Sequence, residues 1–261
     1  MNSKSDYIAV FDSGVGGISV LRHLLKILPN ERYLYFGDSA NAPYGTRPAE
    51  QVRQLTMAAA EKLMGKGIKA LVVACNTATA ATIGQLRQRY PDCIVIGIEP
   101  AVKIATEHFP GGCIGVLATP VTLAGEKYRQ LSHRFENSCQ VISIPAPGLA
   151  KLIEEGMSDS PQVQALLQQL LQPYTGKIDA LVLGCTHYPF VKRQIQRILG
   201  TQIPLYDGGE GTAKETRRRL EAEGLLYDGP GTVHLENSVP GDHMLALTKR
   251  LIGDDREVSY E

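Results

Sequence analysis

Cys75 and Cys185 stand out because of what surrounds them. Cys75 closes the apolar run 70–74 and is followed by Asn76-Thr77; Cys185 follows the run 180–183 and Gly184 and is followed by Thr186-His187. A thiol titrates ordinarily near pH ~8.5, and its surroundings can move that value, so it serves as base or acid near neutrality. A thiolate on one side of a carbon and a thiol on the other can remove a proton from one face and return one to the opposite face. That exchange inverts a stereocentre without an organic cofactor. The plainer reading makes both cysteines small buried hydrophobes, a common fate of free thiols. Their matched setting, each at the end of an apolar run with polar residues following, favours the chemistry.

Two further groups are placed to help. Asp12 ends the run 8–11 and is a candidate carboxylate near Cys75; His187 is a candidate imidazole near Cys185, and either can position or receive a proton. Against these stand a helix-capping role for Asp12 and a solvated surface position for His187. Ser13, Asn76, Thr77, Thr119 and Thr186, with Pro43-Tyr44-Gly45, offer hydroxyl, amide and backbone groups to a zwitterionic substrate. No arginine lies in these segments, so a substrate carboxylate is expected to be held by neutral donors. Gly14, Gly16 and Gly17 either turn backbone N–H groups towards an anion or make a tight turn; they do not spell Gly-x-Gly-x-x-Gly. Cys93, Cys113 and Cys139 lie in or beside apolar runs without polar company and read as structural, and the remaining histidines sit in no comparable setting. A metal site built on Cys75, Cys185 and His187 is not expected, because Cys-x-His is not a common zinc-ligand spacing.

These residues need elements to position them. Short β-rich apolar runs recur at 8–11, 33–36, 70–74, 94–98, 114–118, 141–144 and 180–183. Segments with helical spacing lie between them, at 18–28, 49–64, 78–90, 149–155, 163–171 and 190–199. The alternation predicts a parallel α/β architecture, in which ligands sit at the carboxyl ends of strands. The chain also reads as duplicated. Residues 114–119 echo the first strand, and Ala180-Leu181-Val182-Leu183-Gly184-Cys185-Thr186 echoes Ala70-Leu71-Val72-Val73-Ala74-Cys75-Asn76. Two similar parallel-sheet α/β domains are therefore expected to face each other across a cleft with pseudo-symmetry. The first is expected over 1–99, completed by 207–261 with a charged helix over 212–223, and the second over 100–206.

Composition narrows the function. The 261 residues hold 27 Lys and Arg against 27 Asp and Glu, and so lack the electrostatic footprint of a nucleic-acid or anionic-membrane binder. Residues 1–7 have no signal-peptide pattern and no run is long enough to span a bilayer, so a soluble cytoplasmic protein is expected. Five widely spread cysteines, an odd number, predict free thiols rather than a disulfide framework.

Phe11-Asp12-Ser13-Gly14-Val15-Gly16-Gly17, Pro43-Tyr44-Gly45, Ala74-Cys75-Asn76-Thr77-Ala78 and Leu183-Gly184-Cys185-Thr186-His187-Tyr188-Pro189 resemble the motifs of the glutamate racemase family, within the aspartate/glutamate racemase superfamily. The resemblance implies a two-domain α/β isomerase that interconverts L- and D-glutamate without a cofactor and supplies D-glutamate for peptidoglycan. It implies Cys75 and Cys185 as acid–base catalysts assisted by Asp12 and His187. It implies substrate contacts from Asp12, Ser13, Pro43, Tyr44, Gly45, Asn76, Thr77, Thr119, Thr186 and His187. It also implies a homodimer, and a carboxylate near the site at Glu154, for which an exposed helix-end charge is the plainer alternative. Asp38-Ser39-Ala40-Asn41 departs from the family's usual Asp-Thr-Ala-Arg, and Asp207-Gly208-Gly209 from a frequent Asp-Ser-Gly. Rival readings are a racemase for aspartate or a related acid using the same thiols, and a binding protein without catalysis.

Overall fold

The computed structural model describes residues 3–135, 138–253 and 259–260. In chain order its first half runs β1 (Tyr7–Asp12), α1 (Ile18–Ile27), β2 (Arg32–Gly37), α2 (Ala49–Met64), β3 (Ile68–Val73), α3 (Asn76–Arg89) and β4 (Ile94–Gly97). Next come α4 (Val102–His108), β5 (Cys113–Ala118), α5 (Pro120–Ala124), α6 (Glu126–Phe135), β6 (Gln140–Pro145), α7 (Leu149–Glu154), α8 (Pro161–Leu171), β7 (Ala180–Leu183), α9 (Lys192–Leu199) and β8 (Leu205–Asp207). The tail adds α10 (Gly209–Ala222), β9 (Thr232–Asn237), α11 (Asp242–Ile252) and β10 (Ser259–Tyr260).

The strands form two sheets, parallel throughout, ordered β10-β9-β2-β1-β3-β4 and β6-β5-β7-β8. In the first, β1 lies between β2 and β3; in the second, β5 lies between β6 and β7. Register repeats as well, with Phe11 opposite Val73 and Leu117 opposite Leu183. The duplicated sequence thus becomes a duplicated topology, and it brings Cys75 and Cys185 to equivalent positions just past β3 and β7.

Helices cover both faces of each sheet, so the central strands are buried on both sides and read as continuous apolar runs. Period-two alternation sorts their side chains. Ile8, Val10, Tyr33, Ala70 and Val72 pack with α1 and α10, while Ala9, Phe11, Leu34, Leu71 and Val73 pack with α2 and α3. In the second sheet Leu117, Leu181 and Leu183 pack with α7, α8 and α9, and Val116, Ala180 and Val182 with α4. Leu71 and Leu181 are fully buried, and truncating either to alanine would cost about 2–5 kcal/mol.

Several elements differ from the sequence reading. The helix expected over 190–199 starts at Lys192, after a 3₁₀ turn over Tyr188–Val191 that contains Pro189, which has no backbone N–H to give to a helix. α3 begins at Asn76 rather than 78 because Cys75 itself caps it, Sγ accepting the Ala78 N–H at 3.5 Å. β8 and β9 carry no apolar run: β8 is three half-buried residues and β9 reads Thr-Val-His-Leu-Glu-Asn. Among the described residues, no helix is long and apolar enough to cross a membrane.

Candidate active site

The residues singled out by spacing converge between the carboxyl ends of the two sheets. Asp12 ends β1 and Ser13 follows it; Cys75 follows β3, with Asn76 and Thr77 in the first turn of α3. From the other half, Thr119 follows β5, and Cys185, Thr186 and His187 follow β7. All nine are buried.

Around Cys75 the partners are neutral. Its thiol donates to Ser13 Oγ at 3.4 Å and its sulfur accepts from Ala78 N–H. Burial pushes this thiol up to about 12, and the Asp12 carboxylate adds to that, outweighing the pull of the Ser13 and Ala78 bonds. Around Cys185 the partners are ionisable. Its Sγ lies 3.7 Å from His187 Nδ1, and His187 Nε2 lies 2.7 Å from Glu154 Oε2. Burial alone would lower the imidazole, but the contacts with Cys185 and Glu154 carry it well above its ordinary value. Burial would likewise raise the Glu154 carboxyl, yet bonds from His187, Ser39 and the Val15 N–H hold it below its ordinary value.

The structure decides between the paired readings of three residues. Asp12 does not cap α1, whose N-cap is Gly17 with no side-chain bond. Its Oδ1 accepts from Gly14 N–H at 3.0 Å, and its Oδ2 accepts from Thr186 Oγ1 at 3.0 Å across the cleft. Burial pushes its carboxyl up to about 6, with His187 opposing and Glu154 adding. His187 is 4 % exposed, so it is no surface histidine. Glu154 ends α7, but its side chain is 12 % exposed and turned into the first half, where Val15 N–H and Ser39 Oγ reach it.

Gly14 and Gly16, after β1, owe their identity to the opposite half. A Cβ on Gly14 would fall on the Glu154 carboxylate, and one on Gly16 on the His187 ring and the Thr186 hydroxyl. Both have negative φ, so close approach rather than backbone freedom demands glycine. Gly45 is the counterpart in the Pro43-Tyr44-Gly45 segment, where a Cβ would strike Thr119. That segment is held by Asp38, whose Oδ2 accepts from Tyr44 OH at 2.7 Å.

The hydroxyls of Thr77 and Thr119 meet across the cleft at 3.3 Å, and both contact Thr122, which spacing did not single out. Asn76 Oδ1 is buried without a hydrogen-bond partner. An unpaired buried acceptor is costly, and a donor such as a substrate ammonium would satisfy it. Sequence reasoning also passed over Asp38, Ser39 and Asn237. The first two directly follow β2, so the rule that ligands sit at strand ends pointed to them; Asn237, on a strand with no apolar run, gave no signal. Cys93 and Cys139 pack against apolar clusters, and their thiols donate to backbone carbonyls. Among the described residues no group of three or more His, Cys, Asp or Glu is arranged to hold a metal ion.

Both the sequence and the fold recur in similar proteins. The sequence pattern of the family described as Asp/Glu/Hydantoin racemase matches residues 9–216. A glutamate racemase of Clostridium acetobutylicum is 45 % identical over 255 residues, covering 97 % of this chain and 99 % of that protein. The crystal structure of a glutamate racemase isoform from Bacillus anthracis superposes with a TM-score of 0.87 at 33 % identity, covering 99 % of this chain and 97 % of the other. A Francisella tularensis glutamate racemase crystallised with D-glutamate superposes at 0.83 with 28 % identity, over 98 % and 96 % of the two chains. The chain belongs to the Asp/Glu/hydantoin racemase family, a family of isomerases.

Proposed function

We propose that this protein is a glutamate racemase that interconverts L- and D-glutamate by proton transfer between Cys75 and Cys185, with no cofactor. The observation that carries the reading is the pairing of two buried thiols at equivalent ends of β3 and β7, one from each half. Its support in substrate identity comes from relatives named glutamate racemase over nearly their full length, including one crystallised with D-glutamate.

With the substrate α-carbon between the thiols, one sulfur, as thiolate, takes the α-proton and the other, as thiol, delivers its proton to the opposite face. The α-carbon passes through a planar carbanion and its configuration is inverted; in the reverse direction the thiols exchange roles. Burial and the Asp12 carboxylate make Cys75 a weak acid. A substrate ammonium bound beside them supplies the positive charge that favours the thiolate, so the base is generated on binding. On the other side His187, with Glu154 behind it, exchanges a proton with Cys185. Ser13, Asn76, Thr77, Thr119, Thr186 and the Pro43-Tyr44-Gly45 segment hold the substrate with neutral donors and acceptors.

We place the domains at 1–99 with 207–261 and at 100–206, the enzyme in the cytoplasm as a homodimer, and its product in peptidoglycan synthesis. The decisive experiment incubates purified protein with L-glutamate, and separately L-aspartate, without added cofactor, and follows enantiomers by chiral chromatography. Conversion of glutamate with deuterium entering the α-carbon from solvent is expected. Conversion of aspartate alone would move the protein to a sister activity, and conversion of neither would leave a binding protein.

A further inference from the structure

Asn237, at the end of β9, lies opposite Gly37 of β2 in the sheet. Its Oδ1 accepts the backbone N–H of Val239 at 2.9 Å, which leaves Nδ2 to donate to Ser39 Oγ at 2.9 Å. The amide orientation is thus set by a partner that can only donate. Ser39 Oγ, already accepting from Asn237, turns its single proton to Glu154 Oε1. The other carboxylate oxygen accepts the Val15 N–H at 2.9 Å and His187 Nε2 at 2.7 Å. An ionised carboxylate only accepts, so the proton between them sits on Nε2, and Nδ1 is the ring nitrogen presented to Cys185. Each bond from Val239 to His187 therefore has one allowed direction. Asn237, Ser39 and Val15 belong to the first sheet and its loops, Glu154, His187 and Cys185 to the second.

We propose that Ser39 and Asn237 are positioning residues for the Cys185 side of the site, orienting the Glu154 carboxylate across the cleft and through it fixing His187 with Nδ1 towards the thiol. The assignment rests on the two-thiol reading above. It gives a use to a serine in the segment that departs from the family wording and to an asparagine on a strand that spacing did not reveal. The other titratable groups facing this carboxylate are Asp12 from β1 and Tyr35 from β2, beyond His187 from the loop after β7, whose ring also meets Cys185; Cys75 from the loop after β3 faces Asp12 and Tyr35.

The test uses Ser39→Ala, Ser39→Thr and Asn237→Asp. Asn237→Asp is nearly isosteric, but it offers the Ser39 hydroxyl a second acceptor and draws its proton away from Glu154. Two quantities are read: kcat/KM for glutamate, and the titration of the Glu154 carboxyl by ¹³C NMR, its signal identified by loss in Glu154→Gln. Loss of the Ser39 donor removes a bond that stabilises the carboxylate, so the Glu154 midpoint moves to higher pH in Ser39→Ala and in Asn237→Asp. kcat/KM falls about tenfold in both, the size of one charge-assisted hydrogen bond. Ser39→Thr keeps the hydroxyl and restores both quantities. A Glu154 titration unmoved in Ser39→Ala and Asn237→Asp, or unrestored in Ser39→Thr, overturns the proposal. Absence of glutamate turnover by the unaltered protein would overturn the functional reading instead, while the carboxyl titration still decides the relay.

Discussion

The two halves of the site share a topology but not an electrostatic design. Cys75 rests on a serine hydroxyl and a backbone N–H with a carboxylate nearby, and its thiol is held up near 12. Cys185 rests on an imidazole carried well above its ordinary value by Cys185 and Glu154 against the pull of burial. Duplication of a fold supplies two opposed groups at equal strand positions; what each group can do is set by side chains that the duplication does not copy. Asn76-Thr77 follows one cysteine and Thr186-His187 the other, and that single difference puts an imidazole on one side only. In the two-thiol mechanism proposed above, the Cys75 side depends on the substrate's own charge to become basic, whereas the Cys185 side brings its charge with it.

The largest expected effect breaks both sides alike. Cys75→Ser and Cys185→Ser should each lower kcat by about 10³-fold or more, because a hydroxyl is far too weak an acid to exchange an α-proton here. Far-ultraviolet circular dichroism should show the fold retained, since serine is close in volume. Full activity in either variant ends the two-thiol mechanism. The next effect separates the halves. His187→Gln should lower kcat by about 10²-fold, within the range that general acid–base groups contribute, while Cys75 keeps its surroundings. Steady-state kinetics with kcat within threefold of the unaltered protein would mean the two half-sites work alike despite their different partners.

The two thiols and the strands that carry them were legible because buried parallel strands read as unbroken apolar runs and chemistry gathers where those runs stop. Asp12 was legible as a carboxylate near Cys75, whose thiol it raises, but its hydrogen bond across the cleft to Thr186, 174 positions away, was not. Glu154 had no local signal separating it from a solvated helix end, because its burial comes from Val15 and Ser39 of the opposite half. The Gly14 and Gly16 identities looked like a turn or an anion cradle, since the side chains that exclude a Cβ there are more than 130 residues distant in the chain. β9 escaped notice because an outer strand with mixed side chains has no run to read. Local patterning therefore reports which residues sit at strand ends; closure of one half on the other, which decides their partners, is tertiary.

A smaller effect tests that closure. Gly16→Ala places a methyl group where the His187 ring and Thr186 hydroxyl now lie, so the halves cannot meet without displacing the imidazole. Misplacing a catalytic group by ~1 Å can cost about 10²-fold. Relief by small shifts should leave a loss of about tenfold in kcat/KM with the thermal midpoint little changed, because the clash lies between halves and not in either core. Activity equal to that of the unaltered protein would show that the halves work further apart than they stand in this structure.

The smallest effect is thermodynamic and concerns the residue between the two sides. Asp12 is fully buried, and its carboxyl is raised from an ordinary 3.8 to about 6, so the folded state holds its proton more tightly than the unfolded state does. A group raised on folding contributes stability that is complete below its unfolded value and is lost as pH rises through its folded value. For Asp12 that window runs from about pH 4 to pH 6, and the ionised carboxylate above it costs of the order of 3 kcal/mol. Asp12→Asn keeps an acceptor for the Gly14 N–H and can donate to Thr186 in place of accepting from it, so the variant should fold normally. Denaturant unfolding from pH 4 to pH 8 should therefore show the unaltered protein losing stability relative to Asp12→Asn, with the whole difference appearing by pH 7, while racemisation in the variant collapses. Curves that stay parallel over that range would mean that burial does not raise the Asp12 carboxyl into it.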